Sequence, residues 1–233
     1  RKDSERKRKK MFNLVVLATG NQNKVKEFKE LISDFPVEVK CLSDFGPLPP
    51  AVEDGLTFDE NAYKKAHHVA KVLGIPAIAD DSGLSVKALN GGPGVFSARY
   101  AGEGASDKEN CEKLLNNLNG IEDRDAFFTC VLSIAVPSGP ALTYEATCNG
   151  TILESPRGEG GFGYDPVFYY KPLGKTFAEL SFEEKNEVSH RGKVLAEVKN
   201  EFDKIMVWLK QRMIEEMPEQ PDHSEFEGND WSE

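Results

Sequence analysis

The 233-residue chain has little cysteine, methionine or tryptophan, with four, four and two residues respectively. The cysteines, Cys41, Cys111, Cys130 and Cys148, are scattered and form no CxxC pair. That spacing excludes a zinc knuckle, argues against a disulfide framework and fits a reducing cytosol. No apolar run approaches the length of a membrane span. The basic N-terminus lacks the apolar stretch of a secretory signal, so the Asn149-Gly150-Thr151 sequon reads as chance. A basic body is missing as well. The net charge is −10, with +5 on residues 1–10 and −8 on residues 213–233, leaving −7 on the rest. An acidic body argues against stable nucleic-acid binding.

What remains is a soluble, globular composition long enough to bury a core. The expected organisation is a basic leader over 1–10, one domain over 11–214 and an acidic tail over 215–233. Leader and tail are expected to be disordered, since neither carries enough apolar content to fold.

Along the domain, Phe12 to Ala18 reads as a buried strand ending in Thr19-Gly20-Asn21. A helix follows, with Val25, Phe28, Leu31 and Ile32 on one face. Val37 to Leu42 reads as a strand. Thr57-Phe58-Asp59-Glu60 is a capping box opening a helix that runs to Gly74. Ile75 to Val86 contains a strand broken by two acids. Ser106 to Glu109 caps another helix, ended by Gly120. Phe127 to Val136 and Leu142 to Leu153 form a hairpin, and Ser189 to about Met213 is a long amphipathic helix. Early alternation and a late hairpin give an α/β protein with a mixed sheet.

Four segments carry groups suited to chemistry. Thr19 to Lys24 lies between a strand and a helix, where free backbone N–H groups, Gly20 and Lys24 suit an anion. It is not a Walker loop, and an ordinary Asn N-cap with a solvated lysine fits it equally. Asp80-Asp81 sits in an apolar context, where adjacent carboxylates repel unless a cation such as Mg²⁺ offsets them. Glu53 can bring a further carboxylate; a polar turn is the other reading. Gly158 to Asp165 mimics GxGxxG, but Tyr164-Asp165-Pro166 follows instead of a helix, so a nicotinamide or flavin site is excluded. The loop instead presents Phe162 and Tyr164, which could stack on a base or belong to the core. Lys185 and Ser189-His190-Arg191 could donate to a base carbonyl or form a solvated basic turn.

Six blocks occur in order: LATGNQNK at 17–24, EDGLTFDENAYKKA at 53–66, IPAIADDSGL at 75–84, PGVFSARYAG at 93–102, GGFGYDPVF at 160–168 and EKNEVSHRG at 184–192. On these blocks the chain resembles the inosine triphosphate pyrophosphatase family, also called Ham1, in its bacterial-type branch. The resemblance implies an elongated two-lobed mixed sheet with flanking helices and a central nucleotide cleft. It implies a cytoplasmic homodimer with no membrane partner. The implied activity is hydrolysis of ITP, dITP and XTP to the monophosphate and pyrophosphate with Mg²⁺. By motif position, Thr19, Gly20, Asn21, Gln22, Asn23 and Lys24 would hold the triphosphate. Asp81 would be the catalytic acid–base residue beside the metal, with Glu53 supporting the metal and Ser82 at the substrate. Phe162, Gly163, Tyr164, Asp165, Lys185, His190 and Arg191 would form the purine pocket. The alternatives are a Maf-type pyrophosphatase for other modified nucleotides and a catalytically silent nucleotide-binding protein. The SHR block argues against the first; Lys24, Glu53 and Asp81 argue against the second.

Overall fold

A computed structural model describes residues 13–215. The leader, and the tail beyond Glu215, lie outside the described residues. Among these, seven strands form one open sheet in the order β2-β1-β3-β4-β5-β6-β7. The first strands are β1 (Leu14–Leu17), β2 (Glu38–Cys41) and β3 (Ala77–Val86), and β1 pairs parallel with both β2 and β3. Their crossovers contain the helices α1 (Gln22–Leu31) and α2 (Phe58–Leu73), as parallel pairing requires. Then β4 (Asp125–Ala135) and β5 (Ala141–Ile152) continue the sheet antiparallel, followed by the short strands β6 (Phe168–Tyr170) and β7 (Lys175–Thr176). Three further helices are α3 (Asp107–Asn117), α4 (Phe182–Val188) and α5 (His190–Glu215).

Local chemistry sets the ends of these elements. Thr57 Oγ1 accepts from the Glu60 N–H, and Gly74 closes α2 in the left-handed conformation at φ 66°. The Glu60 carboxylate accepts from Leu56 N–H, one residue before the cap, so the expected reciprocal box is shifted by one. Ser106 and Glu109 make the full box that opens α3. That helix stops at Asn117, and Gly120 only completes the turn after it. The strands β6 and β7 were not expected from the sequence, being too short for a period-two pattern to register.

Two cores are strung along the same long strands. The first gathers Val25 and Phe28 of α1, Ile78 of β3, Leu132 and Ile134 of β4, and Val194, Val198, Phe202, Ile205 and Leu209 of α5. The second gathers Leu84 and Val86 of β3, Leu114 of α3, Phe128 of β4, Ile152 of β5, and Tyr164, Phe168 and Phe177. This is the physical content of two lobes: strands β3, β4 and β5 run through both, and their midpoints lie between the cores.

One expectation fails. Strand β3 is not broken by its acids: it pairs with β4 without interruption from Ala77↔Ala135 to Val86↔Ala126. Ladder hydrogen bonds use only backbone groups, so a side-chain charge does not stop a strand if each charge finds a partner. Gly83 lets the chain pass closely under the segment that follows β3. A Cβ there would fall 2.6 Å from the Gly94 carbonyl, 2.6 Å from Ser97 Oγ and 2.8 Å from the Phe58 ring. By contrast, nothing lies within 4 Å of a Cβ built on Gly20. Gly83→Ala is therefore expected to cost about 1–3 kcal/mol through overpacking. Gly20→Ala should stay within about 0.5 kcal/mol of the parent. Urea unfolding of the two variants checks the contrast.

Candidate active site

Successive residues of a strand point to opposite faces of the sheet. Ala77 and Ala79 pack on the α2 side, with Val69, Ala70 and Ala66. Ile78 packs on the α1 and α5 side. Asp80 and Asp81 continue this alternation, so the acid pair is not one metal seat, as the sequence had suggested. Each carboxylate has its own partners on its own face.

On the α1 and α5 face, Asp80 Oδ2 lies 2.6 Å from Lys24 Nζ and 2.7 Å from Arg191 Nη1. Arg191 Nε also donates to Glu27 Oε2 at 2.8 Å. Burial alone would raise the Asp80 pKa, but Arg191 and Lys24 outweigh it and hold the carboxyl at about 2. Burial likewise opposes the Arg191 charge, and Asp80 and Glu27 more than restore it. Thr19 lines the same small recess together with Lys24, Asp80 and Arg191. The loop that delivers Lys24 is locally ordered: Thr19 Oγ1 accepts from Asn21 N–H, and Asn21 Oδ1 accepts from Lys24 N–H. Gln22 opens the helix with Asn23 behind it, and Gly20 is exposed on its open side.

On the α2 face, Lys65 Nζ lies 3.0 Å from Asp81 Oδ1 and 3.2 Å from Glu53 Oε2. Burial disfavours the Lys65 charge, but Asp81 and Glu53 raise its pKa overall. The Asp81 pKa is raised, because burial outweighs the help from Lys65. Asn61 supports the arrangement: its Oδ1 accepts from Gly55 N–H at 2.8 Å, fixing the loop that carries Glu53. Sequence reading missed Lys65. Its signal was a lysine on the buried stripe of α2, beside Ala62, Ala66 and Val69 and four residues after Asn61. Glu27 was missed too, one turn after Lys24 on α1. Among the described residues, no three His, Cys, Asp or Glu side chains converge as a metal cage.

The third cluster belongs to the second lobe. Lys185 Nζ pairs with Asp165 Oδ2 and sits 4.5 Å above the exposed Phe162 ring. Asp165 is buried and also accepts from Phe162 N–H at 2.9 Å. Burial raises its pKa against the pull of Lys185. Gly163 N–H donates to Asp107 at 2.7 Å, tying the loop to the start of α3. Gly161, at φ 73°, has no room for a Cβ, which would collide with the Asp165 carboxylate. The stacking role suggested for Tyr164 does not hold. Its ring is buried in the second core and its hydroxyl donates to the Ser97 carbonyl at 2.7 Å. A tyrosine whose hydroxyl needs a buried partner is anchored there. Ser82 is exposed on β3, opposite Cys130, between the clusters.

His190 and Arg191 diverge at the start of α5. Arg191 reaches Asp80, whereas the His190 ring stacks on Phe128 at 4.7 Å and 11°. Phe128 in turn stacks on Phe177. His190 Nδ1 is enclosed and has no hydrogen-bond partner among the described residues. Burial, with Lys185 and Arg191 nearby, pushes the imidazole down to about 3. It is therefore neutral near pH 7. The close turn between α4 and α5 depends on Gly192, whose Cβ would run into the Asn186 carbonyl.

A family model described as the Ham1 family matches residues 15–201. A dITP/XTP pyrophosphatase of Desulfotalea psychrophila is 67% identical over 222 residues, covering 95% of this chain and 100% of that one. One from Syntrophobacter fumaroxidans is 62% identical over 203 residues, covering 87% and 88%. The Ham1 protein structure from Staphylococcus aureus superposes with a TM-score of 0.78 at 44% identity, over 82% of this chain and 99% of that one. A HAM1 protein structure from Coxiella burnetii gives a TM-score of 0.79 at 42% identity, over 82% and 98%.

The low His190 pKa has a measurable consequence. Between about 3 and the ordinary value of 6.5, the unfolded chain binds a proton that the folded one refuses. Stability therefore rises with pH through that window, is complete above it and is lost as pH falls. Because the raised carboxyls of Asp81 and Asp165 slope the opposite way, the readout is the difference: between about pH 6 and 5 the parent's stability should rise with pH by about 1 kcal/mol per unit more than that of His190→Asn. Thermal unfolding across that range checks this, and the His190 ring resonances should not titrate above about pH 4.

Proposed function

The chain belongs to the Ham1 family, and we propose from that premise that it hydrolyses non-canonical purine nucleoside triphosphates, ITP, dITP and XTP, to the monophosphate and pyrophosphate. The observation that carries the reading is the convergence on one strand midpoint of three cations from three helices. Lys24 comes from α1, Lys65 from α2 and Arg191 from α5, and all three meet Asp80 or Asp81. A polyanion entering between the lobes meets positive charge on both faces of the sheet. In this reading Thr19 to Lys24 hold the triphosphate, with the N-terminus of α1 contributing its N–H groups.

The residues present fit Mg²⁺. Glu53 and Asp81 already gather their oxygens on one cationic atom, the Lys65 ammonium. Two carboxylates are a sufficient protein contribution for Mg²⁺, which keeps water and substrate phosphate as its other ligands. When bound, the ion would neutralise phosphate oxygens and the departing pyrophosphate. In this reading Asp81 accepts the proton of the water that attacks the α-phosphorus. The bond from the α-phosphorus to the bridging oxygen breaks, and pyrophosphate leaves.

The purine is assigned to the second-lobe side. Phe162 offers an exposed ring for stacking, and Asp165, Lys185, His190 and Arg191 meet the base edge. Asp80 and Glu27 orient the Arg191 guanidinium. A 6-oxo group accepts from the N–H groups of Lys185, His190 and Arg191; the 6-amino group of adenine does not, and buried mismatches are costly. No helix among the described residues is long and apolar enough to cross a membrane. A homodimer in the cytoplasm rests on the family resemblance, and light scattering tests the dimer.

Pyrophosphate should be released from ITP, dITP and XTP in a Mg²⁺-dependent manner. Orthophosphate as the direct product, in a preparation free of pyrophosphatase, would refute cleavage between the α and β phosphates. Asp81→Asn should fold normally and lose most turnover. Arg191→Ala should lower kcat/KM for ITP by roughly one to two decades, the value of a charge-assisted bond. ATP should lose less, so the ITP-to-ATP ratio of kcat/KM shrinks; an unchanged ratio would move Arg191 from the base to the phosphates.

A further inference from the structure

Lys65 stands where a metal ion would be needed. Its Nζ bridges Asp81 Oδ1 at 3.0 Å and Glu53 Oε2 at 3.2 Å, the two oxygens assigned to the cation. The Lys65 and Asp81 side chains are only 16% and 17% exposed, so their attraction is weakly screened by water. Glu53 is more open, at 44% exposed, but a second cation on the same two oxygens would still meet the ammonium at close range on the buried Asp81 side. One ammonium and one divalent ion therefore compete for one pair of carboxylates.

We propose that Lys65 is a built-in occupant of the cation seat in the nucleotide-free enzyme, and that the triphosphate opens the seat by drawing the ammonium onto its own oxygens. The proposal rests on the assignment of Glu53 and Asp81 to the metal. The chemistry of lysine suits the exchange: its charge is a point at the end of a flexible stem, able to swing from one anion to another without a fixed fork geometry. Arg191 is the contrast within the same site, pinned through two nitrogens by two carboxylates. By linkage, a nucleotide that removes the competitor raises metal affinity, and the metal raises nucleotide affinity by the same factor. Metal and nucleotide then enter as a pair, and free divalent ion is not held by the empty enzyme.

The test is direct binding of Mn²⁺ to the full chain without nucleotide, followed by calorimetry and by loss of the free-ion electron paramagnetic resonance signal. K65M and K65Q should bind Mn²⁺ at least tenfold more tightly than the parent. K65R, which keeps the positive charge, should stay as weak as the parent. A non-hydrolysable ITP analogue should tighten Mn²⁺ binding to the parent by a larger factor than it does in K65M. Two neutral variants are used because the longer apolar stem of methionine beside two carboxylates could impair folding where glutamine would not. Equal Mn²⁺ affinity in the parent, K65M and K65Q would overturn the proposal, as would tight binding by K65R. Adding D81N to K65M separates this from the metal assignment. If the double variant keeps the tight Mn²⁺ site of K65M, the ion sits elsewhere and the assignment itself fails. If the double variant loses it, the assignment stands and the comparison of K65M with the parent decides the proposal.

Discussion

The site depends on the period of two in strand β3. Because neighbouring residues face opposite sides, Asp80 and Asp81 are separated by the sheet itself rather than by distance along the chain. Each can then be neutralised independently, Asp80 by Lys24 and Arg191, Asp81 by Lys65. Were both on one face, the pair would need a shared cation or a proton to offset their repulsion. The continuous ladder to β4 keeps the alternation in register, and that ladder is held at both ends by apolar cores. Asp80 and Asp81 thus sit on β3 between the residues that the apolar clusters cover, and charge pairing takes the place of apolar packing.

This pairing also explains how so many charged groups are kept half-buried. Breaking one partner out of a buried pair is costly, because the other is left with an uncompensated charge. The site therefore holds its charges in internal pairs that match the substrate sign for sign. The Asp80 carboxylate occupies the Lys24 ammonium and the Arg191 guanidinium, and the Lys65 ammonium occupies the Glu53 and Asp81 carboxylates. In the proposed reading the triphosphate carries the sign of Asp80 and Mg²⁺ the sign of Lys65, so binding exchanges like for like instead of exposing bare charge.

Much of the frame was legible in the sequence, and the failures have specific causes. The hairpin, α2 with its Thr57 cap and Gly74 stop, and α5 were visible because each combines a long period with a distinct end signal. The interruption expected in β3 came from treating a charge as a strand breaker, when the ladder needs only backbone groups. The sequence showed Asp80 and Asp81 as neighbours but not that they face apart, since facing matters only once the strand is known to be continuous. Lys65 and Glu27 went unnoticed because each lies on a helix rich in exposed charge, and only the position of the opposite strand shows which charge points inward. For Tyr164 the sequence left stacking and core packing open, since a glycine-rich loop gives no period to decide between them, and the loop folds back so that the core reading holds, with the hydroxyl on the Ser97 carbonyl.

The divergence of His190 and Arg191 follows from the same geometry. The two residues start α5 and are adjacent in sequence, about 100° apart around the helix axis. That angle sends Arg191 to Asp80 in the first lobe and lays His190 on Phe128 at the edge of the second core. The tight junction at Gly192 fixes the angle, because no side chain fits between α4 and α5 there. A single helix start thereby links the charge network on β3 to the loop carrying Phe162 and Asp165, and Lys185 on α4 completes the link from the other side. In the proposed reading, the groups assigned to the base and the network on β3 therefore share one helix start, although His190 and Arg191 point to different cores.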